Sequence, residues 1–115
     1  MKKIIIILLL ALITPMASIA QKHAPRPQPV NKNLPGIYPE GSERLLRVSD
    51  IEGLNSWDLK VMRNEIYARH GYIFKTDEIK RYFNEQSWYN PKYSNVENLL
   101  TEIEKKNIQF IKSYE

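Results

Sequence analysis

The sequence predicts a small all-α domain: one short helical turn followed by three helices, the central one covered on two sides. Three observations carry this. Leu59, Met62 and Ile66 fall on one stripe of a 3.6-residue helix, while Trp57, Val61 and Ala68 fall on nearly the opposite side. A helix apolar on two sides must be covered on two sides. Start signals stand where helices should begin, at Asn55 with Asp58 and at Thr101 with Glu104, and Gly53 and Gly71 stand where they should end.

Residues 1–20 read as a removable export signal. Lys2-Lys3 precedes an apolar run from Ile4 to Ile13, Thr14-Pro15 breaks it, and Ser18-Ile19-Ala20 is a small-x-small cleavage site, which puts the expected mature start at Gln21. The run is too short for a membrane span, and Pro15 spoils the longer window, so no membrane association is expected after cleavage. The sequence has no cysteine. A lipid-modified cysteine after the signal is thereby excluded, and an oxidising compartment gives this small fold no disulfide support. Expected localisation is periplasmic or secreted.

Residues 21–37 carry Pro25, Pro27, Pro29 and Pro35 with almost nothing apolar to bury, and are expected to form an extended, disordered tether. The domain is expected over residues 38–115. Tyr38 to Val48 has no clear period. Ser49 with Glu52 fits a capping box, and Gly53 ends that helix after a single turn near Leu54. Asn55 caps the central helix, expected from Ser56 to His70, with Gly71 as the left-handed residue beyond it. Tyr72, Ile73 and Phe74 make an apolar connector. Thr76-Asp77 opens a short helix to about Glu85 with Ile79, Tyr82 and Phe83 on one face. Gln86 to Ser94 is a loop with a turn at Asn90-Pro91. The last helix starts at Thr101 and is expected to bury Ile103, Phe110, Ile111 and Tyr114.

Charge narrows the partners. Five of the 17 basic residues precede Tyr38, which leaves 12 against 13 acidic residues in the domain. A domain so near neutrality has no electrostatic footprint for nucleic acid. The basic character belongs to the signal and the tether.

The string Arg63-Asn64-Glu65-Ile66-Tyr67-Ala68-Arg69-His70-Gly71 contains the Tyr-Ala-Arg-His-Gly sequence that names the YARHG domain family, and the chain resembles that family well beyond it. Ser49-Asp50-Ile51 with Gly53-Leu54 is similar to the family's upstream segment, and Leu59 to its helix start. Phe74, Tyr82-Phe83 and Trp88-Tyr89 are similar to its middle, and Glu104 with Asn107-Ile108 to its end. Val61-Met62 departs from the pattern, many relatives being smaller or more polar there. The resemblance covers residues 38–115. It implies an extracytoplasmic module of the kind attached to envelope proteins, peptidases or kinases. It implies no activity, and no catalytic or binding residue is carried over.

The residues themselves pose a sharper question. On the central wheel Arg63 and His70 lie within about 40° of Leu59, on the stripe that must be buried. On the last helix Asn107 lies between Ile103 and Phe110–Ile111, with Glu104 at the stripe's edge. A buried charge persists only when paired and hydrogen-bonded. Arg63 is therefore expected to fork onto Glu104, with Asn107 and His70 satisfying backbone or neighbouring groups. Glu65 and Arg69 are expected to form a partly exposed pair along the helix, contributing a few tenths of a kcal/mol.

Two readings of this cluster of Arg63, Glu65, Arg69, His70, Glu104 and Asn107 follow. The first is an internal clamp that fixes how two helices dock. The second is a cleft in which an arginine holds an anion and His70 acts as acid or base. The clamp is preferred, because no Gly-rich turn or second histidine accompanies His70 in the domain. No metal site is expected: His23 lies in the tether, cysteine is absent, and no Asp-x-Asp-x-Asp run occurs. No cofactor is expected either. Trp57, Trp88, Tyr89 and Tyr93 could form an aromatic contact surface, or cap a core short of apolar area. The core is expected for Trp88 and Tyr89, and exposure for Tyr93.

The expected function is that of an exported, non-enzymatic envelope module that binds an envelope protein, a peptide or a glycan. The alternatives are a small envelope hydrolase using His70 with Glu65 or Glu104, and a secreted protein whose task is association alone.

Overall fold

The computed structural model describes residues 33–115 and folds them into four α-helices: α1 (Val48–Ile51), α2 (Ser56–Arg69), α3 (Asp77–Asn84) and α4 (Glu102–Lys112). Two 3₁₀ turns, Pro39–Ser42 and Glu97–Leu99, complete the set. The expected signal, and the tether up to residue 32, lie outside the described residues. Pro35, Gly36 and Ile37, read from sequence as the tether's end, are docked against α2 through its Glu65 and Arg69 side chains.

The helix starts are local and follow the sequence. Asn55 accepts from the Asp58 N–H at 2.9 Å, and Asp58 returns a carboxylate to the Asn55 N–H at 3.2 Å. Thr101 and Glu104 repeat the exchange at 3.1 and 2.9 Å. Each closes two of the donors that a helix start leaves open. Gly71 ends α2 with φ 82°, a left-handed residue where a side chain would be strained. The start of α1 differs from expectation. Its N-cap is Arg47, whose N–H is taken by Asp50 at 2.7 Å, so the box lies two residues upstream of Ser49–Glu52. Asp50 is preferred because it also holds Arg44 in a two-pronged pair at 2.7 and 2.8 Å.

Helix α2 is covered on both apolar sides, as its pattern requires. On one side Leu59, Met62 and Ile66 join Leu46, Ile51, Leu100, Ile108 and Ile111 in the main core. On the other, Ala68 joins Phe74, Ile79 and Phe83, roofed by Trp57, Tyr82, Trp88 and Tyr89. Phe74 stacks on Phe83 at 4.7 Å and Trp57 meets Tyr82 edge-on at 5.7 Å. Met62, Ile66, Phe83 and Ile111 are fully buried, each contributing about 1.5–3 kcal/mol of transfer free energy. Among the described residues the one strand-like pairing is an isolated parallel bridge between Tyr72 and Tyr93.

Helix α4 runs antiparallel to α2: His70, just past the end of α2, meets Glu104 at the start of α4, while mid-helix Arg63 meets Glu115 beyond its end. Its buried face is rotated from the expected one. Glu104, Asn107, Ile108 and Ile111 are buried, whereas Ile103 and Tyr114 are 37% and 49% exposed. The face follows Glu104 and Asn107 because their hydrogen-bond partners lie in the segment 41–46, which packs over that side.

Candidate functional site

The polar residues of the α2 terminus meet the N-terminal segment and the start of α4 in one continuous network. Glu65 accepts from the Ile37 N–H at 2.8 Å, the Tyr38 N–H at 3.1 Å and Arg69 Nη2 at 2.9 Å. Arg69 also donates to the Pro35 and Tyr38 carbonyls at 2.7 and 2.8 Å, and to Ser42 Oγ at 2.7 Å. Ser42 donates its hydroxyl to Glu104 at 2.9 Å. Glu104 accepts in addition from His70 Nε2 at 2.8 and 3.0 Å and from the Thr101 N–H. The order is Glu65, Arg69, Ser42, Glu104, His70.

Burial dominates its electrostatics. The Arg69 and Glu65 side chains are 6% and 1% exposed, so their pair is buried rather than the partly exposed helix pair expected from i,i+4 spacing. Burial pushes the Glu65 carboxyl up, against the pull of the Ile37 and Tyr38 N–H groups and of Arg69. Burial likewise pushes the Arg69 guanidinium down, against the nearby carboxylates of Glu65 and Glu104. Such a pair survives because both groups are hydrogen-bonded on all sides: Arg69 donates to Pro35, Ser42, Tyr38 and Glu65, and Glu65 accepts from Ile37, Tyr38 and Arg69.

The expected fork of Arg63 onto Glu104 does not form. Arg63 Nε pairs with Glu115 at 3.0 Å instead. Arg63 and His70 are seven residues apart, about 10 Å along the helix axis, and the antiparallel α4 presents a different end to each. Asn107 does satisfy backbone: it accepts from the Leu46 N–H at 2.9 Å and donates to the Gly41 and Arg44 carbonyls at 2.8 and 2.7 Å.

A family model for the YARHG domain matches residues 36–115, well over half of the sequence. The chain belongs to the YARHG domain family. No curated protein and no solved structure matches it. Membership is consistent with an extracellular or envelope module and brings no activity with it.

The YARHG signature now has a physical account in this chain. Tyr67 packs against both cores, and Ala68, 2% exposed, is small enough for the second core to close on α2. Arg69 staples the N-terminal segment to the helix, and His70 joins the helix end to α4 through Glu104. Gly71 turns the chain, and its carbonyl accepts from the Lys92 and Tyr93 N–H groups at 2.7 and 2.9 Å. A Cβ there would come within 3.0 Å of the Asn90 carbonyl oxygen.

Chemically the network is an unpromising reaction centre. A serine nucleophile needs an adjacent base to take its proton, and the imidazole of His70 is the candidate. Here Ser42 Oγ and His70 Nε2 both point at Glu104, so the carboxylate stands between them with both oxygens engaged. Ser42 and the docked residues 35–38 were not legible in the sequence, since they contribute through backbone groups and one hydroxyl in a stretch without periodicity. Among the described residues no cluster of three or more His, Cys, Asp and Glu side chains could hold a metal. No described helix is long and apolar enough to cross a membrane.

The four aromatic residues singled out in the sequence do not share one surface. Trp57, Trp88 and Tyr89 are packed on the second core, Tyr89 also donating its hydroxyl to the Tyr72 carbonyl, and Tyr93 stands apart at 47% exposure.

A second concave feature runs along the remaining side of α2. A cavity of about 340 Å³ is lined by Arg63, Asn64, Tyr67, Tyr72, Ser94, Asn95, Val96 and Glu97. A neighbouring one of about 240 Å³ shares Arg63, Asn64 and Tyr72 and adds Lys60, Lys75, Thr76 and Glu78. Burial, and then the Glu97 carboxylate, push the Tyr67 phenol up.

Proposed function

We propose that this YARHG domain is a non-catalytic binding module of the cell envelope, exported by its N-terminal signal, in which the family signature holds the fold together and recognition takes place elsewhere. One observation carries the reading: the groups that chemistry would need are engaged with one another. Glu65, Arg69, Ser42 and Glu104 all spend their hydrogen bonds inside the protein, and Glu65 and Glu104 are 1% and 3% exposed. Buried ionic groups so satisfied specify how elements dock. The trough along α2 supplies a concave polar surface that the network does not use.

The test is a pair of measurements on the same variants. The protein, Ser42→Ala, His70→Ala and His70→Gln are incubated with peptidoglycan fragments, peptides and ester substrates, and products are followed by chromatography, while circular dichroism follows the melt. The expected result is no turnover, with a lowered melting temperature in His70→Ala that His70→Gln partly restores through its amide donor. Turnover lost in a still-folded Ser42→Ala or His70→Gln protein would establish the hydrolase alternative.

A further inference from the structure

At about 100° per residue, α2 presents four sides. Glu65 and Arg69 lie under the N-terminal segment. Leu59, Met62 and Ile66 face the main core, and Trp57 and Ala68 the second. Lys60, Arg63, Asn64 and Tyr67 make the fourth side, and this is the wall of the trough.

The trough differs from the signature network in how its polar groups are used. Arg63 is engaged through Nε alone, which leaves Nη1 and Nη2 without a hydrogen-bond partner among the described residues. Asn64 donates to the Lys60 carbonyl at 2.8 Å, and its Oδ1 accepts nothing there. The hydroxyls of the half-buried Tyr67 and Tyr72, and the Glu97 carboxylate, likewise have no hydrogen-bond partner among the described residues. Lys75 stands at one end, and Lys60 is held there by a long contact to Glu78 at 3.7 Å between exposed side chains. A pair of that kind is easily exchanged for another anion.

We propose that this trough binds a short oligosaccharide bearing carboxylates. Arg63, with Lys60 and Lys75 beside it, is placed to take a carboxylate on its open guanidinium edge. Asn64 Oδ1 and Glu97 are acceptors, and sugar hydroxyls are the donors they lack. Tyr67 and Tyr72 line the trough, and their hydroxyls are placed to meet the rim of a sugar ring. A cavity of about 340 Å³ lies at the small end of the ligand-site range, which suits a few sugar units rather than a folded partner.

A peptide added as a strand would need an open backbone edge. Beside the trough that edge is closed: the Tyr72 N–H bonds the Tyr67 carbonyl, the Tyr72 carbonyl takes the Tyr89 hydroxyl, and the Ile73 N–H bonds the Tyr93 carbonyl. The proposal rests on the binding-module reading and adds the ligand's chemistry and place.

The full-length protein, labelled with nitrogen-15, is titrated separately with trigalacturonate, a hyaluronan tetramer, maltotriose and triglutamate, and each oligosaccharide is chromatographed afterwards. At least one carboxylated sugar should shift the amides of Arg63, Asn64, Tyr72 and Asn95. Arg63→Gln should weaken its binding about tenfold and Tyr72→Phe several-fold, with maltotriose bound about tenfold more weakly. Three outcomes overturn the assignment: no carboxylated sugar binds, the shifts map elsewhere or survive Arg63→Gln, or triglutamate or maltotriose binds as tightly. Binding at another face would leave the module reading standing, whereas cleavage of the sugar would remove that reading itself.

Discussion

Arg69 and Glu65 lie one turn apart on α2, 2.9 Å between Nη2 and Oε2, with hardly any of either side chain in contact with solvent. A buried pair of this kind is costly to assemble and costlier to break, because removing one member strands the other's charge. Arg69→Met and Glu65→Leu are each expected to cost about 3–5 kcal/mol. In a domain this small each kcal/mol moves the melt by about 4–8 °C, so both should be largely unfolded at growth temperature. The double variant should cost clearly less than the two losses added together, since neither charge is stranded. Thermal and urea melts by circular dichroism measure all three; additive losses would show that the two groups are not coupled.

Gly36 tests how the N-terminal segment is fastened. Its φ of 110° is reserved for glycine, and a Cβ there would fall 1.9 Å from Glu65 Oε2. Gly36→Ala is therefore expected to lift residues 35–38 from α2 and to cost about 1–3 kcal/mol. Hydrogen exchange at the Ile37 and Tyr38 amides is the direct measurement. Both are held by Glu65 in the native protein and should lose protection in the variant. Unchanged protection would mean that the segment is held by something other than this carboxylate.

The pair of Asp50 and Arg44 sets an acid limit. The hydrogen bonds from Arg44 hold the Asp50 carboxyl below its ordinary value of 3.8, and burial opposes them only in part. A carboxyl lowered on folding stabilises the native state above its unfolded pKa, and that contribution is lost as pH falls through the folded value. Stability should therefore decline below about pH 4, and part of the decline should vanish in Asp50→Asn, which has no proton to take up. Urea midpoints from pH 7 to pH 2.5 for both proteins decide it. Identical slopes would remove Asp50 from the account.

These positions show what the sequence discloses and what it does not. Helix starts at Asn55 and Thr101 are legible because their partners stand three residues away. The two apolar sides of α2 are legible because the wheel fixes them. The partner of Arg63 is not, since a wheel gives an angle about one axis and says nothing of which end of α4 lies alongside. Nor is the network's other half, where Glu65 and Arg69 are satisfied by the main chain of residues 35–38 some 30 positions upstream. The trough is also hidden from sequence, for it needs the bridge between Tyr72 and Tyr93 to bring residues 94–97 beside α2.

Asn107 gives the most discriminating test of the clamp between α4 and the N-terminal segment. One side chain, 1% exposed, serves three backbone groups: it accepts from the Leu46 N–H and donates to the carbonyls of Gly41 and Arg44. Asn107→Leu has similar bulk and removes all three bonds, and each buried group left without a partner costs about 1–3 kcal/mol. Asn107→Asp has the same shape and keeps the acceptor for Leu46. It replaces the donating amide with an oxygen that faces two carbonyl oxygens, and it brings a charge into a buried place. The aspartate variant should thus be severely destabilised at neutral pH and should recover partly in acid, where a protonated carboxyl can donate to one carbonyl. The leucine variant should be destabilised without that recovery. Urea denaturation of both at pH 7 and pH 4.5 separates the cases. If both variants lose equally at the two pH values, packing rather than donor and acceptor matching governs this contact.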